Sequence, residues 1–228
     1  MDDDYETISA LIQPKIGLLL NYLRNHPEHT KTGLRLLFAH GAGAPMDSGF
    51  MNFFSEAISA CGVEVIRFEF PYMQKRRQTG GKRPPDRMPV LLDCYREVIE
   101  HWGGAGQCVL AGKSMGGRVA SMVLADRGAK AAVSIGYPFH PPGRPERLRA
   151  EHWSQIQSPW LILQGTRDPF GKPQEVAQYP LPQCAQLRWI DEGDHDFKPR
   201  KRSGLTQQTL WAQSAEMAAN FVINLERK

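Results

Sequence analysis

The stretch Cys108-Val109-Leu110-Ala111-Gly112-Lys113-Ser114-Met115-Gly116-Gly117-Arg118-Val119-Ala120 decides the architecture. Its first four residues are apolar and short enough for a buried strand, and Met115 to Arg127 has the length and pattern of a helix. Between the two lies G-x-S-x-G, residues 112–116. A serine on so tight a reversal needs glycine on either side, because a Cβ would collide where the strand turns into the helix. The same geometry lifts the serine Oγ above the sheet. The helix start then aims its dipole and the Met115 N–H at negative charge developing beside the serine. A nucleophile at Ser114 is the first expectation.

The same letters invite a second interpretation, because Gly112-Lys113-Ser114 could close a phosphate-binding G-x-x-x-x-G-K-S loop. That spacing requires glycine at position 107, which is Gln107, and the intervening residues read as strand rather than loop.

Outward from the motif, short apolar runs alternate with amphipathic segments of helix length, the pattern of a mostly parallel sheet with helices on both faces. Strands are expected at Leu34 to Ala39, Gly62 to Phe68, Cys108 to Ala111, Ala131 to Ile135, Trp160 to Gln164 and Gln186 to Ile190. Helices are expected at Ser48 to Ala60 with Asp47 as N-cap, Pro89 to Trp102, Met115 to Arg127 and Leu205 to Arg227. Apolar residues from Ile8 to Leu23 recur at helical spacing and are interrupted by Pro14, so Tyr5 to Arg24 reads as a kinked helix. This segment belongs to an N-terminal helical extension, residues 1–30, of a single domain covering 1–228. Two connections, Glu69 to Met88 and Gly136 to Pro159, carry little regular pattern.

A serine nucleophile needs a histidine to take its proton, and that histidine needs a carboxylate to fix its tautomer. In this strand-turn-helix arrangement the chain order is serine, acid, histidine. Of the histidines after Ser114, His140 and His152 fall in the loop before the penultimate strand, and His195 alone follows the last strand. His195 is the expected base. Asp126 reads as buried in the helix after the nucleophile, and Asp191, Asp194 and Asp196 are too close in sequence to bridge to His195. Asp168, just past the strand Trp160 to Gln164, is the expected acid, although an aspartate before proline also serves as a turn cap. His40-Gly41-Ala42-Gly43-Ala44-Pro45 follows the first strand with small residues, so Ala42 joins Met115 as an expected oxyanion-hole donor. His40 is expected to brace that loop. The cluster from Asp191 to Asp196 lacks a second histidine at ligand spacing, so no metal is expected.

With 41% hydrophobic and 23% charged residues, the 228-residue chain is globular in composition rather than disordered or fibrous. No apolar stretch approaches the roughly 18 residues of a membrane span. Met1-Asp2-Asp3-Asp4 lacks the positive start of a secretory signal, so a cytoplasmic location is expected. Cys61, Cys94, Cys108 and Cys184 lack C-x-x-C spacing and read as buried thiols. The net charge of +4 is too small to indicate nucleic acid, but six basic residues lie between Met73 and Arg87 against Asp86 alone. If Arg76 and Arg77 of this insert face the cleft they would draw anionic substrates toward the site; a solvated basic surface with no ligand is the alternative. Tyr72, Met73, Tyr137, Phe139 and Phe170 could wall an acyl pocket, although aromatic residues in loops as often serve simple packing.

Together, Gly112-Lys113-Ser114-Met115-Gly116, Asp168 and His195 resemble the nucleophile elbow, acid and base of the α/β-hydrolase superfamily. More narrowly, the run from Leu37 to Ser48, Gly136-Tyr137-Pro138-Phe139-His140-Pro141 and Gly193-Asp194-His195-Asp196-Phe197 are similar to a group of small predicted hydrolases distantly related to dienelactone hydrolases. That group has eukaryotic relatives including a testis-expressed protein and a histone acetyltransferase complex subunit. The resemblance covers Leu34 to Asn224 and implies the α/β-hydrolase fold with a triad that needs no cofactor. The resemblance supplies no substrate; the triad read from the residues leads to the expectation of a serine hydrolase of carboxylesterase or thioesterase type acting on a small-molecule ester or thioester. Two alternatives stay open: a non-catalytic interaction module on the same scaffold, and a peptidase or amidase using the same triad.

Overall fold

The computed structural model describes residues 20–226. The chain runs β1 (Tyr22–Asn25), β2 (Arg35–Ala39), α1 (Gly49–Ala60), β3 (Glu64–Phe68), α2 (Pro71–Thr79) and α3 (Met88–His101). It continues with β4 (Cys108–Lys113), α4 (Met115–Arg127), β5 (Ala131–Ile135) and β6 (Trp160–Gly165), then α5 (Pro173–Val176), β7 (Ala185–Ile190) and α6 (Gln207–Asn224). The strands form one sheet in the order β1-β3-β2-β4-β5-β6-β7. All neighbours are parallel except β1, which runs antiparallel to β3.

Alternation along the strands divides the core in two. Leu36 and Phe38 of β2, with Val109 and Ala111 of β4, face α1 and α6. Leu37, Ala39 and Leu110 face α3 and α4 on the other side. Helices on both faces therefore follow from strands that are apolar at nearly every position. The chain leaves β2 toward β3 on one side and resumes at β4 on the other. This reversal opens a crevice between the carboxyl ends of β2 and β4, where a parallel sheet gathers its ligands.

Three local expectations are corrected. Tyr22–Asn25 is a strand rather than the end of a helix; Leu20 and Tyr22, two residues apart, both enter the core, and Tyr22 stacks on His101 at 5.6 Å. The rest of the expected N-terminal helix, up to residue 19, lies outside the described residues. The connection Glu69 to Met88 contains α2, whose polar sequence gives no helical periodicity; Pro71 starts it, Gly80 ends it left-handed at φ 66°, and its first turn is buried. The N-cap of α1 is Ser48, while Asp47 turns away to pair with Arg77. Asp126 is exposed and pairs with Arg96. All four cysteines are free, but Cys61 and Cys184 are only partly buried.

Tyr95 joins the two strands that flank the crevice. From α3 its buried hydroxyl reaches the Leu37 carbonyl of β2 at 2.6 Å and accepts the Ala111 N–H of β4 at 2.9 Å. Tyr95→Phe removes this buried hydroxyl bridge, so urea unfolding should show a loss of about 0.5–1.5 kcal/mol. An unchanged unfolding midpoint would contradict this bridging role.

Candidate active site

Ser114 occupies the single-residue reversal between β4 and α4 with φ 51° and ψ −115°, a backbone conformation that costs a non-glycine residue on the order of 1–3 kcal/mol. A Cβ at Gly112 would collide with the backbone of Gly116 and Gly117, and one at Gly116 would strike the carbonyls of Ala39 and His40. Both flanking glycines are thus required by close approach. The strain is held by the Ser114 N–H donating to the Ile135 carbonyl at 2.9 Å and by the Arg118 N–H donating to the Ser114 carbonyl at 3.1 Å.

The three residues expected to act together converge from the ends of β4, β6 and β7. Ser114 Oγ lies 2.9 Å from His195 Nε2, and His195 Nδ1 lies 2.8 Å from Asp168 Oδ2. Asp168 is fully buried, and its other oxygen accepts the Phe170 N–H at 2.9 Å. The carboxylate therefore caps its own turn and faces the imidazole at once. The loop carrying His195 is folded by Asp194, whose Oδ1 accepts the N–H groups of Asp196 and Lys198 at 2.9 Å each. Phe197, at φ 58°, drops its ring into the core, and Phe170 covers the His195 ring at 4.5 Å between centroids.

The loop after β2 is held from below. The Phe70 N–H donates to His40 Nε2 at 3.1 Å, so the neutral ring carries its hydrogen on Nδ1 and donates it to the Gly41 carbonyl at 2.7 Å. Tyr72 donates its hydroxyl toward the Gly41 and Ala42 carbonyls at 3.3 and 3.0 Å. A Gly41 carbonyl turned toward His40 leaves the Ala42 N–H, on the same trans peptide, directed away from it. Met115 stands at the first position of α4, where the N–H has no partner within the helix.

A partly open pocket of about 270 Å³ adjoins these groups, lined by the loop from Gly41 to Ala44, by Ser48, Phe50 and Met51, and by Lys113, Ser114, His195 and Asp196. The expected wall is corrected accordingly. Tyr137 and Phe139 are fully buried and pack with Trp153 and Trp160, and Met73 is likewise core. Tyr72 acts on the Gly41 loop from behind, and Phe170 meets His195 rather than the pocket. The insert does not line the pocket either. Arg77 pairs with Glu69 at 2.7 Å and with Asp47 at 2.5 Å, which draws α2 onto the Gly41 loop, and Arg76 is absent from the lining. Arg77 holds the Asp47 carboxyl below its ordinary range, whereas burial pushes Glu69 up against the pull of the same arginine. Phe50, Met51 and Lys113 were not anticipated. The signal was present: the first two open the helix that follows the Gly41 loop, and Lys113 is the variable position of G-x-S-x-G.

The family and the fold agree with this geometry. A model for an alpha/beta hydrolase domain matches residues 32–223. The chain belongs to the alpha/beta hydrolase domain family. No curated protein sequence matches it closely enough to count as a relative. Among solved structures, a serine hydrolase without lid from Xanthomonas campestris is 20% identical with TM-score 0.66, covering 100% of this chain and 95% of that one. A serine hydrolase homologue from Coxiella burnetii is 19% identical with TM-score 0.64, covering 98% and 97%. A dienelactone hydrolase from Anabaena variabilis is 20% identical with TM-score 0.65, covering 89% and 90%. At these identities the likeness establishes the shared fold. Among the described residues no helix is long and apolar enough to cross a membrane.

Burial holds the His40 imidazole down at about 4, and burial with the Arg118 charge does the same for His152. His152 meets Ser121 Oγ at 2.8 Å within the core. Both rings are neutral when folded, so between about 6.5 and 4 the unfolded chain binds more protons and stability falls as pH falls. The contribution is complete above about pH 6.5 and declines by roughly 2 kcal/mol per histidine at pH 5. Urea unfolding free energies at pH 7.5 and 5 should differ accordingly, with a shallower decline in His152→Gln. Equal slopes in the two proteins would remove His152 from the account.

Proposed function

We propose that this alpha/beta hydrolase domain is a serine hydrolase that cleaves a small ester or thioester through an acyl-enzyme on Ser114. The hydrogen-bonded line from Ser114 Oγ through His195 to buried Asp168 carries this assignment, with spacings of 2.9 and 2.8 Å. His195 Nε2 takes the Ser114 proton as Oγ attacks the acyl carbon, while Asp168 holds the Nδ1 hydrogen and stabilises the imidazolium. The N–H groups of Ala42 and Met115 receive the charge on the tetrahedral oxygen. His195 then returns the proton to the leaving group. A water activated by the same nitrogen releases the acid in the second half of the cycle.

Pocket size and lining support a small acyl group packed on Phe50 and Met51. The basic insert stays clear of this pocket, and the Lys113 ammonium beside it is already paired with Asp196. The reaction needs no cofactor, and four free cysteines accord with a reducing, cytoplasmic setting. The non-catalytic alternative has less support, since an interaction surface has no use for three polar side chains aligned from three strand ends.

A fluorophosphonate probe should label the folded protein at Ser114, identified by peptide mapping, and should leave Ser114→Ala unlabelled. On p-nitrophenyl esters of increasing length, turnover should favour short acyl chains, and Ser114→Ala should lose a thousand-fold or more, on the order seen when a serine nucleophile is removed. Folded protein that neither labels nor turns over would put the interaction module first.

A further inference from the structure

Lys113 is the last residue of β4 and the immediate neighbour of Ser114, yet its side chain is almost entirely buried. A buried ammonium is costly unless its hydrogens find acceptors. Here the acceptors come from the loop after β7: Nζ donates to the backbone carbonyl of His195 at 2.7 Å and meets Asp196 Oδ1 at 3.2 Å. The Phe50 ring lies beneath the charge at 5.4 Å. Space for this reach is left by Gly136 at φ 64°, where a Cβ would stand 3.1 Å from Nζ and 3.0 Å from the His195 carbonyl.

In the sheet, β4 and β7 are separated by β5 and β6, so no backbone ladder joins the strand of the nucleophile to the loop of the base. The Lys113 side chain crosses that gap and grips the peptide of the histidine itself. We propose that Lys113 is the positioning residue that clips the His195 loop to the nucleophile strand, setting the distance between His195 Nε2 and Ser114 Oγ. It touches the loop and not the reacting atoms, so its effect on catalysis passes through His195; this inference rests on the serine-hydrolase assignment for its kinetic consequence and on geometry alone for its structural one. Asp196, Asp168 and Asp194 are the charges that favour the ammonium, against the burial that disfavours it.

Lys113→Met removes the charge and keeps much of the volume, and Lys113→Arg keeps the charge. Hydrogen exchange of residues 191–200 reads the clip whether or not the protein turns over substrate. The expected result is faster exchange in this segment for the methionine variant, with β2 and β4 unchanged, and partial recovery for the arginine variant. The His195 Nδ1 proton, held by Asp168, should shift or broaden in the NMR spectrum of the methionine variant. On a short p-nitrophenyl ester, kcat should fall ten- to a hundred-fold with KM within about two-fold, the scale of a displaced catalytic group, and arginine should restore part of it. Wild-type exchange and an unshifted Nδ1 proton in a folded Lys113→Met protein would overturn the clip. If instead the wild type fails to label or hydrolyse esters while the exchange difference appears, the clip stands and the serine-hydrolase assignment falls.

Discussion

Helix α4 begins so close to β2 and β4 that positions 112 and 116 have no room for a side chain, and the rest of the site depends on that approach. The contact with the Ala39 and His40 carbonyls leaves the chain one residue in which to reverse direction, and Ser114 takes the strained conformation that results. Strain of this size persists only where neighbours over-determine it. Here the hydrogen bond to Ile135 and the first turn of α4 do so. The raised hydroxyl, the helix start beside it and the crevice at the reversal of strand order are three results of one packing constraint.

Around this fixed point the other parts are held by polar groups whose partners lie on different elements. His40 and Tyr72 fix the Gly41 peptide, Arg77 fastens α2 to Asp47, and Asp194 folds the loop of His195. The His40 and Tyr72 contacts are buried dipoles matched by carbonyl acceptors, so a misplaced Gly41 loop would leave them unpaired in the core, whereas the Arg77–Asp47 pair and the Asp194 turn lie closer to solvent. The basic insert serves this assembly. Its Arg77 is taken up by neighbouring carboxylates, and Tyr72, just before it, holds the loop that faces the pocket.

How much of this could be read in the sequence depends on the range of the interaction involved. The elbow was legible because its constraint is local, and the order of Ser114, Asp168 and His195 was legible because strand ends in a parallel sheet share one edge. The pocket wall was not. Tyr137 and Phe139 sit in a loop and look available, but they are buried against Trp153 of that same irregular loop and Trp160 of β6, contacts that no local periodicity announces. Lys113 was overlooked for the same reason, since its partners are some eighty residues away. Helix α2 carries no periodicity because only its first turn meets the core, and β1 was masked by apolar spacing that suits a helix up to Leu20.

Strand β1 carries a further consequence. It pairs antiparallel along β3, brings Arg24 to Glu64 and gives the buried Arg67 guanidinium the Asn25 side-chain oxygen as an acceptor. The match to the family model starts at residue 32 and excludes this strand. A protein trimmed to that boundary would keep Ser114, Asp168, His195 and the crevice, but it would present β3 as a bare row of hydrogen-bonding groups with Arg67 short of one acceptor behind it. Such a border invites pairing with another molecule. The first strand thereby covers the β3 edge of a fold whose chemistry lies elsewhere.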